Sequence, residues 1–312
     1  MSFTTIVKNE VCSLEFPMLE NIAELSGFIR SCGKYSYDRI EITIENIKVA
    51  KRVYVLLKNI YNIEVILEKR KMANFNSKSL YVIIVEKKAK QILKDLSVLD
   101  DFENYIESPR DYIIGSIDEM KAYLRGSFLG RGSINDPSTS QYHLEFVYDN
   151  KYEAVFIQRL LNQFEMNCKI IMRESKYMVY IKESEKISDF LKIISASKAV
   201  LYYENVRIKK EQKNNTNRLN NCEQANTDKV IATAMEQIKY IEFIDSTIGL
   251  DILDEKLKDT CVYRLRYPEA SLNELSEIIS IETNKKISKS CLNHRFRKIK
   301  EIYEKVKNTT IN

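Results

Sequence analysis

LSGFIRSCG at residues 25–33 and LRGSFLGRG at residues 124–132 decide how this chain folds. Both read as helices with small residues along one side, Gly27 aligning with Gly126 and Gly33 with Gly132 at one offset of 99 residues. The 312-residue chain holds only seven glycines, so four of them falling in this register is a pattern rather than chance. Small residues at fixed helix positions let two backbones approach closely. The expectation is an internal duplication whose halves meet at two central helices.

The sequence on either side of each motif repeats as well. In the first half a helix over 18–29 precedes RIEITIE at 39–45, where apolar and polar residues alternate as a half-buried strand requires. A helical pattern at 49–61, strand-like runs at 63–69 and 80–85 and a helix near 88–99 follow. The second half gives a helix at 118–131, a strand at 142–148 (YHLEFVY), a helix at 152–164, strands at 168–173 and 177–182, and a helix at 184–194. Both halves read α-β-α-β-β-α, with repeats at 18–100 and 117–196 of a pseudo-symmetric α+β domain over 1–198. If Ile40, Ile42 and Ile44 face the core, then Arg39, Glu41, Thr43 and Glu45 lie on the opposite face, as do His143, Glu145 and Asp149 in the second half.

Composition limits the function classes. With 44% hydrophobic and 30% charged residues the chain is globular. Apolar runs such as 80–85 are too short to cross a bilayer, and MSFTTIVKNEV at the start lacks the features of a signal peptide, so a cytoplasmic location without a membrane partner is expected. The six cysteines show no CxxC spacing and the two histidines stand far apart, so no zinc site, disulfide framework or cofactor is expected. Residues 262–312 carry 11 Lys/Arg against 6 Asp/Glu, leaving 38 of each sign before them. The whole formal surplus of +5 therefore sits in a terminal module, which points to an anionic polymer as its partner.

Between 199 and 226 the sequence reads as a linker, its core RIKKEQKNNTNRLNNCEQAN polar and amide-rich. Arg207, Lys209, Lys210 and Arg218 could track a phosphate backbone there, or simply be solvated. A helical domain over 227–312 follows, with a helix-turn-helix at about 270–303. Ser271-Leu272-Asn273-Glu274 is a capping box, with Ala270 and Leu275 placed as a hydrophobic staple. A connection over 280–287 leads to Ser288, a second N-cap candidate; it exceeds the usual three or four residues of such motifs. From Lys289 the last helix places Leu292, Phe296, Ile299, Tyr303 and Val306 on one apolar stripe. Its other sides display Lys289, Ser290, Asn293, His294, Arg295, Arg297 and Lys298: hydroxyls and lysine near a helix N-terminus suit phosphate, and asparagine and arginine suit base edges. Ser271, Asn273 and Ser288 complete the expected DNA-binding set.

The paired motifs resemble the doubled LAGLIDADG motif of homing endonucleases, in which the eighth position of each motif is an acid that holds the metal ions for DNA cleavage. Here those positions are Cys32 and Arg131, so the resemblance implies the fold and argues against the catalysis. A degenerate LAGLIDADG domain joined to a C-terminal helix-turn-helix resembles the WhiA family of Gram-positive bacteria. Three segments carry that likeness: Tyr123-Leu124-Arg125-Gly126-Ser127-Phe128-Leu129 with 132–137 (GSINDP); Asn217-Arg218-Leu219, Asn221-Cys222-Glu223 and Ala225-Asn226; and Pro268-Glu269-Ala270-Ser271-Leu272 with Ser288-Lys289-Ser290 and Asn293-His294-Arg295. The resemblance implies a nucleoid-associated regulator of transcription that binds double-stranded DNA and is linked to cell division, chromosome segregation and, in organisms that sporulate, sporulation. Two other readings stand beside it. One is a nuclease using Asp118, Glu119 or Asp136, although Asn-Asp-Pro more often makes a turn. The other is a protein-interaction scaffold or RNA binder, with carboxylates on the sheet face unfavourable to phosphate and a protein partner expected there.

Overall fold

The structure, a computed structural model, describes residues 1–36, 38–71 and 79–311. Its contacts divide the chain into two compact units, Met1–Glu211 and Gln212–Asn312.

The first unit opens with α1 (Phe3–Val11), capped by the Ser2 hydroxyl, which accepts from Thr5 N. Then come α2 (Met18–Cys32), β1 (Lys34–Ser36), β2 (Arg39–Ile44), α3 (Ile47–Tyr61), β3 (Ile66–Lys71), β4 (Ser79–Val85) and α4 (Ala89–Asp95). After a short α5 (Asp111–Ile114) the pattern recurs in α6 (Ile117–Arg131), β5 (Gly132–Ile134), β6 (Leu144–Tyr148), α7 (Lys151–Gln163), β7 (Lys169–Arg173), β8 (Lys176–Ile181) and α8 (Ser184–Ile193). The duplication reaches the caps: Asn46 accepts from Lys48 N to start α3, and Asn150 accepts from Tyr152 N to start α7, both at 2.8 Å. Each half has one strand more than the alternation predicts, giving α-β-β-α-β-β-α. β1 and β5 are three residues long, too short for alternation to register, and they begin within two residues of Cys32 and Arg131.

The sheets are antiparallel and ordered β1-β2-β4-β3 and β5-β6-β8-β7. Ile42 pairs with Ile83 and Phe146 with Val179, which turns Ile40, Ile42, Ile83 and Val85, and likewise Leu144, Phe146, Tyr148, Val179 and Ile181, onto buried faces.

The centre is the contact between α2 and α6. A Cβ on Gly126 would lie 1.9 Å from the Glu24 carbonyl oxygen, and one on Gly27 would lie 2.3 Å from that of Tyr123. Two backbones therefore touch where the sequence offers no side chain. Gly33 and Gly132 act differently from the expected packing role. They terminate their helices, and an added Cβ would strike their own helices at Ile29 and Phe128. The seam is also polar: the Ser31 hydroxyl donates to Gly27 O at 2.6 Å and lies 3.1 Å from the Ser127 hydroxyl.

Two buried arginines tie the halves together in opposite directions. Arg125 of α6 pairs with Glu24 of α2 at 2.6 Å, where Arg52 of α3 also pairs, and Arg30 of α2 pairs with Glu153 of α7 at 2.5 Å. Tyr105 donates to the same Glu153, and Arg30 also donates to the Ser97 and Ile106 carbonyls at 2.6 Å. Such pairs add little net stability over apolar replacements, yet removing one partner strands a buried charge. They fix how the two halves mate.

The stretch read as a linker over 199–226 is helical throughout, inside α9 (Ser197–Ile248), and the division between units falls within that helix. No glycine or proline occurs from Ser197 to Ile248, so nothing local interrupts the helix. The second unit adds a 3-10 turn (Leu250–Ile252), α10 (Glu255–Arg266), α11 (Leu272–Thr283) and α12 (Lys289–Ile311). Its core joins Ile241 and Ile244 of α9, Leu257 and Cys261 of α10, Leu275 and Ile279 of α11, and Leu292, Phe296 and Ile299 of α12.

Candidate nucleic-acid interface

The C-terminal ends of α2 and α6 carry the positions where the resemblance would place metal-binding acids. Free carbonyls give such ends a partial negative charge, and here two cations answer it. Arg131 donates through Nε to Ser31 O at 3.0 Å and pairs with Asp149 at 3.1 Å. Lys8, from a helix the sequence reading did not single out, donates to Leu129 O at 3.0 Å. Burial pulls the Lys8 amine down to about 8 and pushes the Cys32 thiol up to about 12. Cys32 thus remains a neutral thiol, donating to Phe28 O at 3.3 Å. A divalent metal needs hard anionic oxygens, and a thiol beside two cations does not fit one.

The carboxylates considered for an alternative nuclease are committed elsewhere. Glu119 accepts from Ser116 N at 2.8 Å in the capping box of α6, at the helix end opposite Arg131. Asp118 pairs with Lys121 at 3.1 Å. Asp136 accepts from the Ser138 amide and hydroxyl at 2.8 and 2.6 Å, the turn that Asn-Asp-Pro suggests. Among the described residues no cluster of three His, Cys, Asp or Glu could hold a metal ion.

Both sheets carry mixed charge on the face away from the core. Arg39 pairs with Glu41 at 3.1 Å and with Glu86 at 3.8 Å, and Arg70 pairs with Glu68 at 2.7 Å. In the second half His143 lies 2.9 Å from Glu145, and Asp149 takes Arg131 and Lys176. Among the described residues most basic groups there have a carboxylate neighbour, while Lys34 and Lys169 have none, so these faces mix paired and single charges rather than presenting a continuous positive strip to phosphate.

The second unit arranges its surface differently. Ser271 caps α11: its hydroxyl accepts from Glu274 N at 3.3 Å while Glu274 accepts from Ser271 N at 2.7 Å. Asn273 is exposed on the first turn. α11 runs further than expected, to Thr283, and stops at Asn284 with φ 57°; the turn to α12 is therefore 284–288, shorter than the expected 280–287. Ile279 and the Ser280 hydroxyl, which accepts from Ile287 N at 2.9 Å, close this turn from inside. Ser288 caps α12, accepting from Cys291 N at 3.2 Å.

On α12 the apolar stripe is buried: Leu292 and Ile299 are fully enclosed, and Tyr303 packs its ring 4.6 Å from that of Tyr240. Lys289, Ser290, Asn293, His294, Arg297 and Lys298 are exposed. Ser290, Asn293, His294 and Arg297 stand at spacings of three, one and three, one face of the helix. Arg295 departs from this group. It is half-buried and donates to the Thr260 hydroxyl at 3.1 Å and to Lys256 O at 3.3 Å, which holds α12 against α10.

The four basic residues of the former linker also separate. Arg207 pairs with Glu185 at 3.0 Å, Glu204 at 2.9 Å and Glu211 at 3.5 Å, and Lys210 donates to Thr139 O and lies 5.0 Å from the Tyr142 ring centre. These two serve the first unit, while Lys209 and Arg218 are exposed on α9.

Comparisons with known proteins agree along the whole chain. Residues 19–99 match the WhiA N-terminal LAGLIDADG-like domain, 120–213 the WhiA LAGLIDADG-like domain and 216–303 the WhiA C-terminal HTH domain. A probable cell division protein WhiA of Exiguobacterium sibiricum is 39% identical over 313 residues, covering 99% of this chain and 98% of that protein. A protein of the same name in Bacillus cytotoxicus is 40% identical over 311 residues, covering 98% of each. The crystal structure of full-length DUF199/WhiA from Thermatoga maritima is similar with a TM-score of 0.57 at 24% identity, covering 98% of this chain and 99% of that one. Among the described residues no helix is long and apolar enough to cross a membrane.

Proposed function

As the chain belongs to the WhiA family, we propose that it is a DNA-binding regulator of transcription tied to cell division, with no nuclease activity. One observation carries the reading: α12 buries its apolar stripe and leaves Ser290, Asn293, His294 and Arg297 exposed in a row, with Lys289 and Lys298 beside them. A helix about 10–12 Å across fits a major groove about 12 Å wide. In this reading Asn293 and Arg297 meet base edges, while Arg295, held against α10, does not. Lys289, Lys298, Ser288 and the first turn of α11 at Ser271 and Asn273 meet phosphates. The names of the relatives support the link to cell division, and the family resemblance extends it to chromosome segregation and, in organisms that sporulate, to sporulation. The mixed-charge sheet faces suit a protein partner or a structural role better than a DNA backbone.

Selection of duplexes from a random pool by the full-length protein, followed by anisotropy titration, tests this. A recurring motif is expected, and Asn293→Ala should weaken binding to it by about 1–3 kcal/mol. No enriched motif, or unchanged binding by both Asn293→Ala and Arg297→Ala, would remove α12 as the reader. Supercoiled plasmid with Mg²⁺ or Mn²⁺ should stay intact; nicking above a mock-purified control would restore the nuclease reading.

A further inference from the structure

Among the described residues, the buried Arg30 pairs with Glu153 and the buried Arg125 with Glu24, where the half-buried Arg52 also pairs. Arg264 of α10 differs. It is 1% exposed and has no ion-pair partner among the described residues; its Nη1 donates to the carbonyls of Tyr267 at 3.2 Å and Ala270 at 2.6 Å, and its Nε has no acceptor. A buried cation without an anion is costly. Burial alone pushes this guanidinium below its ordinary value, and no carboxylate raises it again.

Arg264 lines a cavity of about 260 Å³ within the second unit, together with Lys229 of α9, Lys289 of α12 and the first turn of α11. The lining brings three cations and no carboxylate. The amides of Leu272 and Asn273 open α11 and have no carbonyl within the helix to donate to, so they add the positive end of a helix dipole. Val230, Ala234 and Leu272 supply an apolar wall. The cavity is larger than a bare phosphate needs, which leaves room for an organic group against that wall.

We propose that this cavity is a binding site for a small phosphorylated organic molecule, its phosphate held by Arg264, Lys229, Lys289 and the opening amides of α11. Lys289, Ser271 and Asn273 line the cavity and are also the residues assigned above to DNA phosphates, so an occupant and a bound duplex would compete for them; the site itself stands whether or not the chain binds DNA.

Calorimetric titration of the full-length protein at constant ionic strength, with chloride as the balancing anion, tests the site using inorganic phosphate and phenyl phosphate. Saturable binding of one phenyl phosphate per chain, tighter than inorganic phosphate, is expected. Lys229→Glu, on the exposed side of α9, should weaken it by at least about tenfold, the worth of one charge-assisted hydrogen bond. Arg264→Gln should abolish it; if that variant does not fold, Lys229→Glu and the cavity-filling Val230→Phe decide the matter. Binding that does not saturate, or that both of those variants retain, overturns the proposal. Duplex titration of the same variants separates the sources of phosphate: Lys229→Glu weakening phenyl phosphate while leaving duplex affinity unchanged supports a free ligand, whereas an equal weakening of duplex binding assigns the cavity to a backbone phosphate and overturns the small-molecule reading.

Discussion

Replacing Gly126 by alanine should cost more than almost any other single-methyl change in the chain. The added Cβ would sit 1.9 Å from the Glu24 carbonyl oxygen, 2.8 Å from its carbon and 2.9 Å from Phe28 N. All three are backbone atoms of the facing helix, so no side chain can rotate away, and α2 and α6 must part by more than about 1 Å to reach ordinary contact. That separation opens the seam at Ser31 and Ser127, 3.1 Å apart, and stretches the 2.6 Å Arg125–Glu24 pair. Overpacking costs about 1–3 kcal/mol and weakened buried polar contacts about 1–3 more, while alanine returns about 1 through helix propensity. A net loss of about 3 kcal/mol lowers the Tm of a unit this size by roughly 6–12 °C. Thermal unfolding followed by circular dichroism reads it, with Gly130→Ala as the comparison: there the nearest atom is the Cys32 sulfur at 3.1 Å, the end of a movable side chain. Equal stability of Gly126→Ala and Gly130→Ala would refute the backbone contact between the halves.

Two further changes probe the charges inside the first unit. Glu24→Gln leaves Arg52 without a carboxylate and Arg125 with only Glu20 at 3.4 Å, and should cost about 3 kcal/mol, against at most about 1 for Glu41→Gln on the sheet face; denaturant midpoints compare them. Lys8 gives a pH signature. Folded, it releases its proton near 8, below the ordinary 10.5, so unfolding takes up a proton between those values and stability rises with pH across that window. Lys8→Met lacks the group, and urea titrations should show wild type gaining up to about 3 kcal/mol relative to it from pH 8 to 10.5. Parallel curves would mean that the amine is not desolvated.

The features legible in the sequence were those encoded locally. Gly27 and Gly126 announced the seam because no other residue permits that approach, and Ser271 with Glu274 spelled out a cap that forms bond for bond. Alternation at Ile40 and Ile42 fixed which face of β2 is buried. What stayed hidden depends on partners far along the chain. Arg30 meets Glu153 and Arg125 meets Glu24 across more than a hundred residues, and no periodicity marks such pairs. Lys8 reaches the end of α6 from a helix of nine residues whose sequence carries no sign of that distant contact. The asparagines of 207–226 suggested a loop, since asparagine favours turns, but the absence of glycine and proline across Ser197–Ile248 was the better signal. Arg295 resembles its neighbours on the helix in sequence, and only its contact with Thr260 of α10 sets it apart.

The proposed division of labour between a LAGLIDADG-like scaffold and a DNA-reading terminal helix is tested most directly by one titration. Affinity for the selected duplex is measured for the full-length protein, for Asn293→Ala/Arg297→Ala on α12, and for Arg39→Ala/Arg70→Ala on the sheet face. The account predicts that the α12 variant loses specific binding, roughly tenfold or more for each base contact removed, while the sheet variant binds as wild type does. Full affinity in the α12 variant together with loss in the sheet variant would contradict it.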